Sequence, residues 1–205
     1  MDFEYPSDVI EFRREFGRYL DSVVTPDLTE EIAQSGGEST GPLTRAFWKK
    51  LAGDGYFGMG WPVEYGGGGK SVLYLHAFNQ EMMYRRLPLP VVTLNTVAPT
   101  LMRIGSEEQK KEFLPQILRA EIEFSIAYSE PEAGTDLASL NTRALRDGDD
   151  YVINGQKVFT TGAHQADFLW LAVRTDPEAP KHRGISILIA PLSSEGIDIQ
   201  PLPIM

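Results

Sequence analysis

The sequence predicts an α+β protein: an all-α helical domain over residues 1–122, followed by a β domain over residues 123–205. Three observations carry that prediction. Apolar residues up to about residue 118 recur in steps of three and four, the period of a helix with one buried face. From about residue 124 the apolar residues gather in short runs between turns, the habit of strands. Helices come first and strands second, without alternation, which argues against a doubly wound sheet.

The helical half reads in order. Val9, Phe12, Phe16, Leu20 and Val23 form one stripe, with Ser7 placed to cap the helix and Pro26 just past its end. Leu43, Phe47 and Leu51 repeat the step before Gly53 and Gly55, and Leu75, Phe78 and Met82 repeat it again. A further helix spans about Val91 to Arg103 and stops at Gly105. Ser106 and Gln109 then make an S-x-x-Q capping box ahead of Phe113, Leu114, Ile117 and Leu118. In the second half "FSIAY", "YVING", "FLWLAVR" and "GISILIAP" read as strands, with a turn at Asp147 and Gly148.

Composition narrows the function. The 205 residues carry a formal net charge of −10, which gives no basic field to recruit nucleic acid. There is no cysteine, so disulfides, thiolate metal sites and a cysteine nucleophile are excluded. His76, His164 and His182 lie in different segments without metal-ligand spacing. No run reaches the length of a membrane span and the acidic N-terminus is no signal peptide, so the cytoplasm is the expected location.

The stretch "EYGGGGKS", residues 64–71, raises the question of a phosphate-binding loop. Gly69, Lys70 and Ser71 match the end of G-x-x-x-x-G-K-[ST], but Glu64 stands where the first glycine belongs, and Pro62 breaks the strand that should precede it. A glycine-rich turn between helices accounts for it as well.

Two stretches are left for chemistry. "AYSEPEAGTDLASL", residues 127–140, leaves a strand and turns through Pro131 and Gly134 with Ser129, Thr135 and Ser139 close together. Hydroxyls and open N–H groups in such a turn can bind an anion or the polar edge of a heterocycle. "NGQKVFTTGAHQAD" sets Phe159, Thr160 and Thr161 at a strand end before Gly162. Each stretch alone also reads as an ordinary turn whose side chains bond their own backbone.

Taken together and in this order, they resemble the acyl-CoA dehydrogenase family. "YSEPEAGTD" is similar to its T/S-E-P-x-A-G-S/T-D signature, "NGQKVFTTG" to its N-G-x-K-x-W/F-x-T/S signature, and "WPVEYGG" to a turn of its helical domain. The resemblance covers essentially all 205 residues and makes "GGGGKS" a loop between helices. It implies a β-barrel-like middle domain and α,β-dehydrogenation of an acyl-CoA thioester by FAD bound at a domain junction and subunit interface. On it, Ile126, Tyr128, Ser129, Phe159 and Thr161 are expected to bind the flavin, and Thr135 the coenzyme A part of the substrate. Phe159 replaces the commoner tryptophan and keeps an aromatic face without the indole N–H. Glu130 is expected to be structural.

The resemblance further implies an electron-transfer flavoprotein as acceptor, a homo- or hetero-oligomer, and a place in fatty acid or steroid side-chain β-oxidation. The family's catalytic glutamate comes from a C-terminal helical domain expected beyond Met205, so the β domain is expected to be incomplete at its end, and the isolated chain inactive. Two alternatives stay open: a non-catalytic half-subunit or scaffold completed by a partner chain, and a flavin oxidase or monooxygenase of the same fold. Thr93, Asn95 and Thr96 in "VVTLNTVAPTLMRI" hint at a polar or bulky acyl group.

Overall fold

A computed structural model describes residues 4–35 and 41–200, and the chain divides into two compact units, Met1–Glu121 and Ile122–Met205.

The first unit is helical. Helix α1 (Ser7–Val23) buries Val9, Phe16 and Leu20 on the face the sequence marks. Its N-cap is Pro6, and Ser7 is the first helical residue with no capping bond, which corrects the expected cap. Pro26 does more than follow α1: it opens a second helix, α2 (Pro26–Gln34), where proline costs no intrahelical bond. The Thr25 side chain caps α2 by accepting from the Leu28 N–H. Helix α3 (Pro42–Gly53) begins at Gly41, which has no capping side chain. Glu31 of α2 supplies the acceptors instead, taking the N–H groups of Leu43 and Thr44 at 3.0 and 2.7 Å.

Helix α4 (Val72–Tyr84) packs on α1, with the Phe16 and Phe78 rings 4.9 Å apart. Between these helices Glu81 is buried and bound by Arg13 at 2.7 Å and by Arg85, which also reaches Asp21. Burial opposes ionisation of Glu81, but the two guanidinium groups outweigh it and hold the carboxyl below its ordinary value.

The expected helix over 91–103 is not uniform. A π-turn, Thr93–Val97, precedes α5 (Ala98–Ile104). Pro99 has no N–H to donate, and widening the turn just before it fits that missing bond. Helix α6 (Glu107–Leu118) carries the expected capping box, with both reciprocal bonds formed between Ser106 and Gln109.

The glycine loop before α4 is a packed turn. The N–H groups of Gly68, Gly69 and Lys70 are taken by the carbonyls of Gly58, Trp61 and Met59 at 2.9, 2.9 and 2.8 Å. None of these three is left to cradle a phosphate. Gly66 and Gly69 have φ of 81° and 59°, which glycine adopts without strain.

The second unit is a mixed sheet of β1 (Phe124–Ala127), β2 (Arg143–Asp147), β3 (Asp150–Asn154), β4 (Phe168–Arg174) and β5 (Ile185–Pro191). Strands β2 and β3 form the hairpin expected at Asp147 and Gly148. Strand β4 pairs antiparallel with β5 and parallel with β1, Phe124 opposite Phe168 through Ala127 opposite Leu171. Among the described residues the sheet is open, not closed into a barrel. Alternation places Leu171 and Val173 in one cluster with Ala127 and Ala144, and Ala172 in another with Ala133 and Leu140.

Candidate functional site

The site is built where β1 ends. Beyond Ala127 the chain passes Tyr128 and Ser129 into a tight turn, closed by reciprocal bonds between Glu130 and Ala133 at 2.9 and 3.1 Å. Pro131 sits in that turn, where its fixed φ costs nothing. Tyr128 is half-buried, and its hydroxyl accepts the indole N–H of Trp170 at 3.0 Å. Trp170 faces Ile126 in the parallel β1–β4 register. The strand pair therefore fixes the direction in which Tyr128 leaves the sheet.

The second segment follows β3. It passes Gly155, where a Cβ would lie 2.3 Å from Thr142 Oγ1, so only glycine lets the chain through unshifted. Lys157 then turns inward. Its ammonium donates to Glu130 Oε1 at 2.8 Å and to the Tyr128 carbonyl at 3.0 Å. The next N–H, of Val158, donates to the Ser129 carbonyl at 2.9 Å. The two stretches that sequence singles out are thus bonded side by side.

Glu130 and Lys157 are both shielded, with side chains 6% and 10% exposed. The Glu130 carboxylate also accepts the N–H groups of Asn141 and Thr142 at 2.6 and 2.9 Å. Burial alone would raise its pKa, but the ammonium and the backbone donors outweigh burial and lower it to about 2. Burial pulls Lys157 below the ordinary lysine value, with the Glu130 charge opposing.

Phe159 departs from expectation in its backbone. It lies in irregular chain beyond β3, not at a strand end, with φ of 56° and its side chain 76% exposed. An aromatic residue in the left-handed region is strained by about 1–3 kcal/mol, and such strain gathers at ligand sites. Thr160 is inward, its hydroxyl buried with no hydrogen-bond partner among the described residues. Thr161 is exposed, and its carbonyl accepts the Ser125 hydroxyl at 2.8 Å. Gly162 follows at φ of 77°.

Thr135 is exposed beyond the signature turn, beside Asp136, which pairs with Lys181. Ile126, Tyr128, Ser129, Phe159 and Thr161 thus fall on β1 and on the two segments bonded across its end, and Thr135 lies farther along the turn. Sequence reasoning assigned nothing to Ser125 or Lys157. Lys157 occupies the K of N-G-x-K, so its signal was present; Ser125 carries no pattern of its own.

The helical unit holds a separate feature. A cavity of about 310 Å³ is walled by Trp61, Leu75, Leu94 and Met102, with the amides of Asn79 and Asn95 in its lining. Of Thr93, Asn95 and Thr96, Asn95 lines it, while Thr93 is buried.

Among the described residues no cluster of side chains suits a metal ion, and no helix is long and apolar enough to cross a membrane.

Comparison with known proteins places this architecture. The acyl-CoA dehydrogenase N-terminal domain matches residues 7–121, and the acyl-CoA dehydrogenase middle domain matches residues 125–204. The chain belongs to the acyl-CoA dehydrogenase family. It is 50% identical over 192 residues to acyl-CoA dehydrogenase FadE29 of Mycobacterium tuberculosis (strain ATCC 25618 / H37Rv), covering 94% of this chain and 49% of that one. It superposes on the solved Tcur3481-Tcur3483 steroid ACAD with a TM-score of 0.91 and 50% identity, over 98% of this chain and 52% of that chain. It superposes on the ChsE4-ChsE5 complex of Mycobacterium tuberculosis with a TM-score of 0.91 and 45% identity, over 100% of this chain and 52% of that chain. The chain spans about half the length of the curated relatives it matches.

Proposed function

We propose that this chain supplies the helical and middle domains of an FAD-dependent acyl-CoA dehydrogenase that oxidises a bulky, steroid-type acyl thioester within a heteromeric enzyme. The observation that carries the reading is the pairing of the two signature segments through Lys157 and Val158. It presents Ser129 and Thr161, an exposed aromatic at Phe159 and a half-buried Tyr128 on neighbouring stretches of chain.

The residues present fit a flavin. An exposed aromatic on strained backbone suits a flat heterocycle, and the Thr160 hydroxyl, without a hydrogen-bond partner among the described residues, offers polar capacity beside Thr161. When bound, FAD supplies the hydride acceptor for oxidation of the acyl Cα–Cβ bond. Tyr128, Ser129, Phe159 and Thr161 would hold the ring, Ile126 would lie beside it, and Thr135 would meet the coenzyme A moiety. Glu130 is not the general base: a carboxyl lowered to about 2 and already ion-paired takes a proton poorly at neutral pH.

Two similarities support the substrate and assembly. One similar structure is described as a steroid ACAD, and another is a complex of two named proteins. The helical-unit cavity, apolar with two amides, suits a bulky apolar acyl end bearing a hydrogen-bonding group. An electron-transfer flavoprotein is the proposed acceptor.

The test is the visible absorption of the assembled heteromeric enzyme titrated with FAD, then mixed anaerobically with the CoA thioester of a steroid side-chain acid and with a straight-chain acyl-CoA. The reading expects a resolved flavin band that responds to the steroid thioester first. Folded protein that holds no flavin would sink the cofactor assignment. Response to the straight chain alone would sink the substrate assignment.

A further inference from the structure

We propose that Lys157 is a positioning residue: its bridge to Glu130 and to the Tyr128 carbonyl sets the register between the two segments that carry Ser129 and Thr161. The use of that register rests on the flavin reading above; the register itself rests on geometry alone.

One ammonium joins three parts of the chain. It bonds the carbonyl of Tyr128 before the signature turn and the carboxylate of Glu130 within it. Through that carboxylate it is tied to the N–H groups of Asn141 and Thr142, where the chain enters β2. The adjoining Val158 N–H bonds the Ser129 carbonyl, and from there the chain runs into Phe159 at φ of 56°. A strained residue keeps its conformation only where its surroundings over-determine it. Lys157 and Val158 anchor the near side of Phe159, and the Ser125 bond to the Thr161 carbonyl anchors the far side.

Stability alone does not account for a shielded ion pair. Removing two charges from water costs about as much as their attraction returns, and apolar pairs of similar volume commonly replace them without loss. What an apolar pair cannot do is hold the Tyr128 carbonyl and the Glu130 carboxylate at one fixed point. The two roles therefore separate in a double variant that is neutral and well filled.

The experiment uses the assembled heteromeric enzyme as wild type, with Lys157→Met, and with the double variant Glu130→Gln/Lys157→Met. Three quantities are read: the unfolding midpoint, hydrogen exchange of the Val158 amide relative to amides of β4, and FAD affinity. Lys157→Met leaves the Glu130 charge buried alone and should lower all three; if it fails to fold, the double variant carries the decision. The double variant should recover the midpoint, yet exchange at Val158 about tenfold faster or more and bind FAD about tenfold more weakly, the loss expected for hydrogen bonds from a charged donor. Wild-type protection of Val158 in the double variant would overturn the proposal. If wild type binds no FAD while Val158 responds as stated, the flavin reading fails and the register role stands. If Val158 responds but FAD affinity is unchanged in the double variant, the register does not serve the flavin, and that part of the proposal is overturned.

Discussion

Gly67 lies against Trp61 so closely that a Cβ on the glycine would stand 2.2 Å from the tryptophan's carbonyl oxygen and 2.4 Å from its Cβ. The obstacle is backbone, which cannot swing aside. Gly67→Ala should therefore destabilise the helical unit by about 1–3 kcal/mol, the usual cost of overpacking. Gly53→Ala, where a Cβ would meet nothing within 4 Å, should be neutral or slightly stabilising. Urea unfolding of both variants checks this; equal midpoints would show that the loop can relax.

Glu130 gives the protein an acid limit. Its folded pKa is depressed from 4.5 to about 2, so its contribution to stability is fully present above the unfolded value. That contribution is lost as pH falls from about 4.5 towards 2. A shift of this size corresponds to about 3 kcal/mol. In Glu130→Gln, part of the loss of stability over that window should vanish, while stability at pH 7 should drop because Lys157 keeps a buried charge without its partner. Equal pH slopes for variant and wild type would refute the assignment.

Phe159 should trade stability against binding. With φ of 56° and 76% exposure it has strain to relieve and little burial to lose. Phe159→Gly should stabilise the flavin-free protein by about 1 kcal/mol. On the flavin reading it should also weaken FAD binding. A variant that is less stable and binds FAD equally well would contradict both halves of the argument.

The neighbouring threonines should behave oppositely. Thr160 Oγ1 is buried without a partner among the described residues, so Thr160→Val should be neutral or stabilising in the ligand-free protein. Thr161 is exposed, and Thr161→Val should leave folding unchanged but, in the assembled enzyme, slow single-turnover flavin reduction while leaving FAD bound. Unaltered reduction kinetics would remove Thr161 from the site.

At Asn95, too, chemistry and packing separate. Asn95→Leu makes the helical-unit cavity more apolar. It should raise KM for a hydroxylated or keto-bearing ring substrate several-fold and spare a plain hydrocarbon one. Equal effects on both would disconnect the cavity from acyl recognition.

Local features were legible in the sequence, and non-local ones were not. The stripe of α1, the Ser106–Gln109 box and the turn at Asp147 and Gly148 each depend on residues a few positions apart. The parallel pairing of β1 with β4 joins "FSIA" to "FLWL" across the whole signature region, and nothing local announces it. Helix α2 was hidden because Pro26 reads as an end before it reads as a beginning. At the site, residue types pointed to Ser129, Phe159 and Thr161, but the left-handed backbone of Phe159 and the bond from Ser125 have no sequence signature. The Glu130–Lys157 pair combines two residues whose separate motifs gave no reason to connect them.

The parallel pairing of Phe124–Ala127 with Phe168–Leu171 also has a consequence for how the molecule assembles. Everything from Tyr128 to Asp167, both signature segments included, lies in the crossover between those two strands. The closing entropy of that long loop is lost before the strands return any contact. The hairpin of β2 and β3 can form early inside the loop, but the site cannot exist until its two ends meet. Competence to bind a ligand there should thus come late in folding, and a ligand that arrives then would act as a latch on the pairing of those two strands.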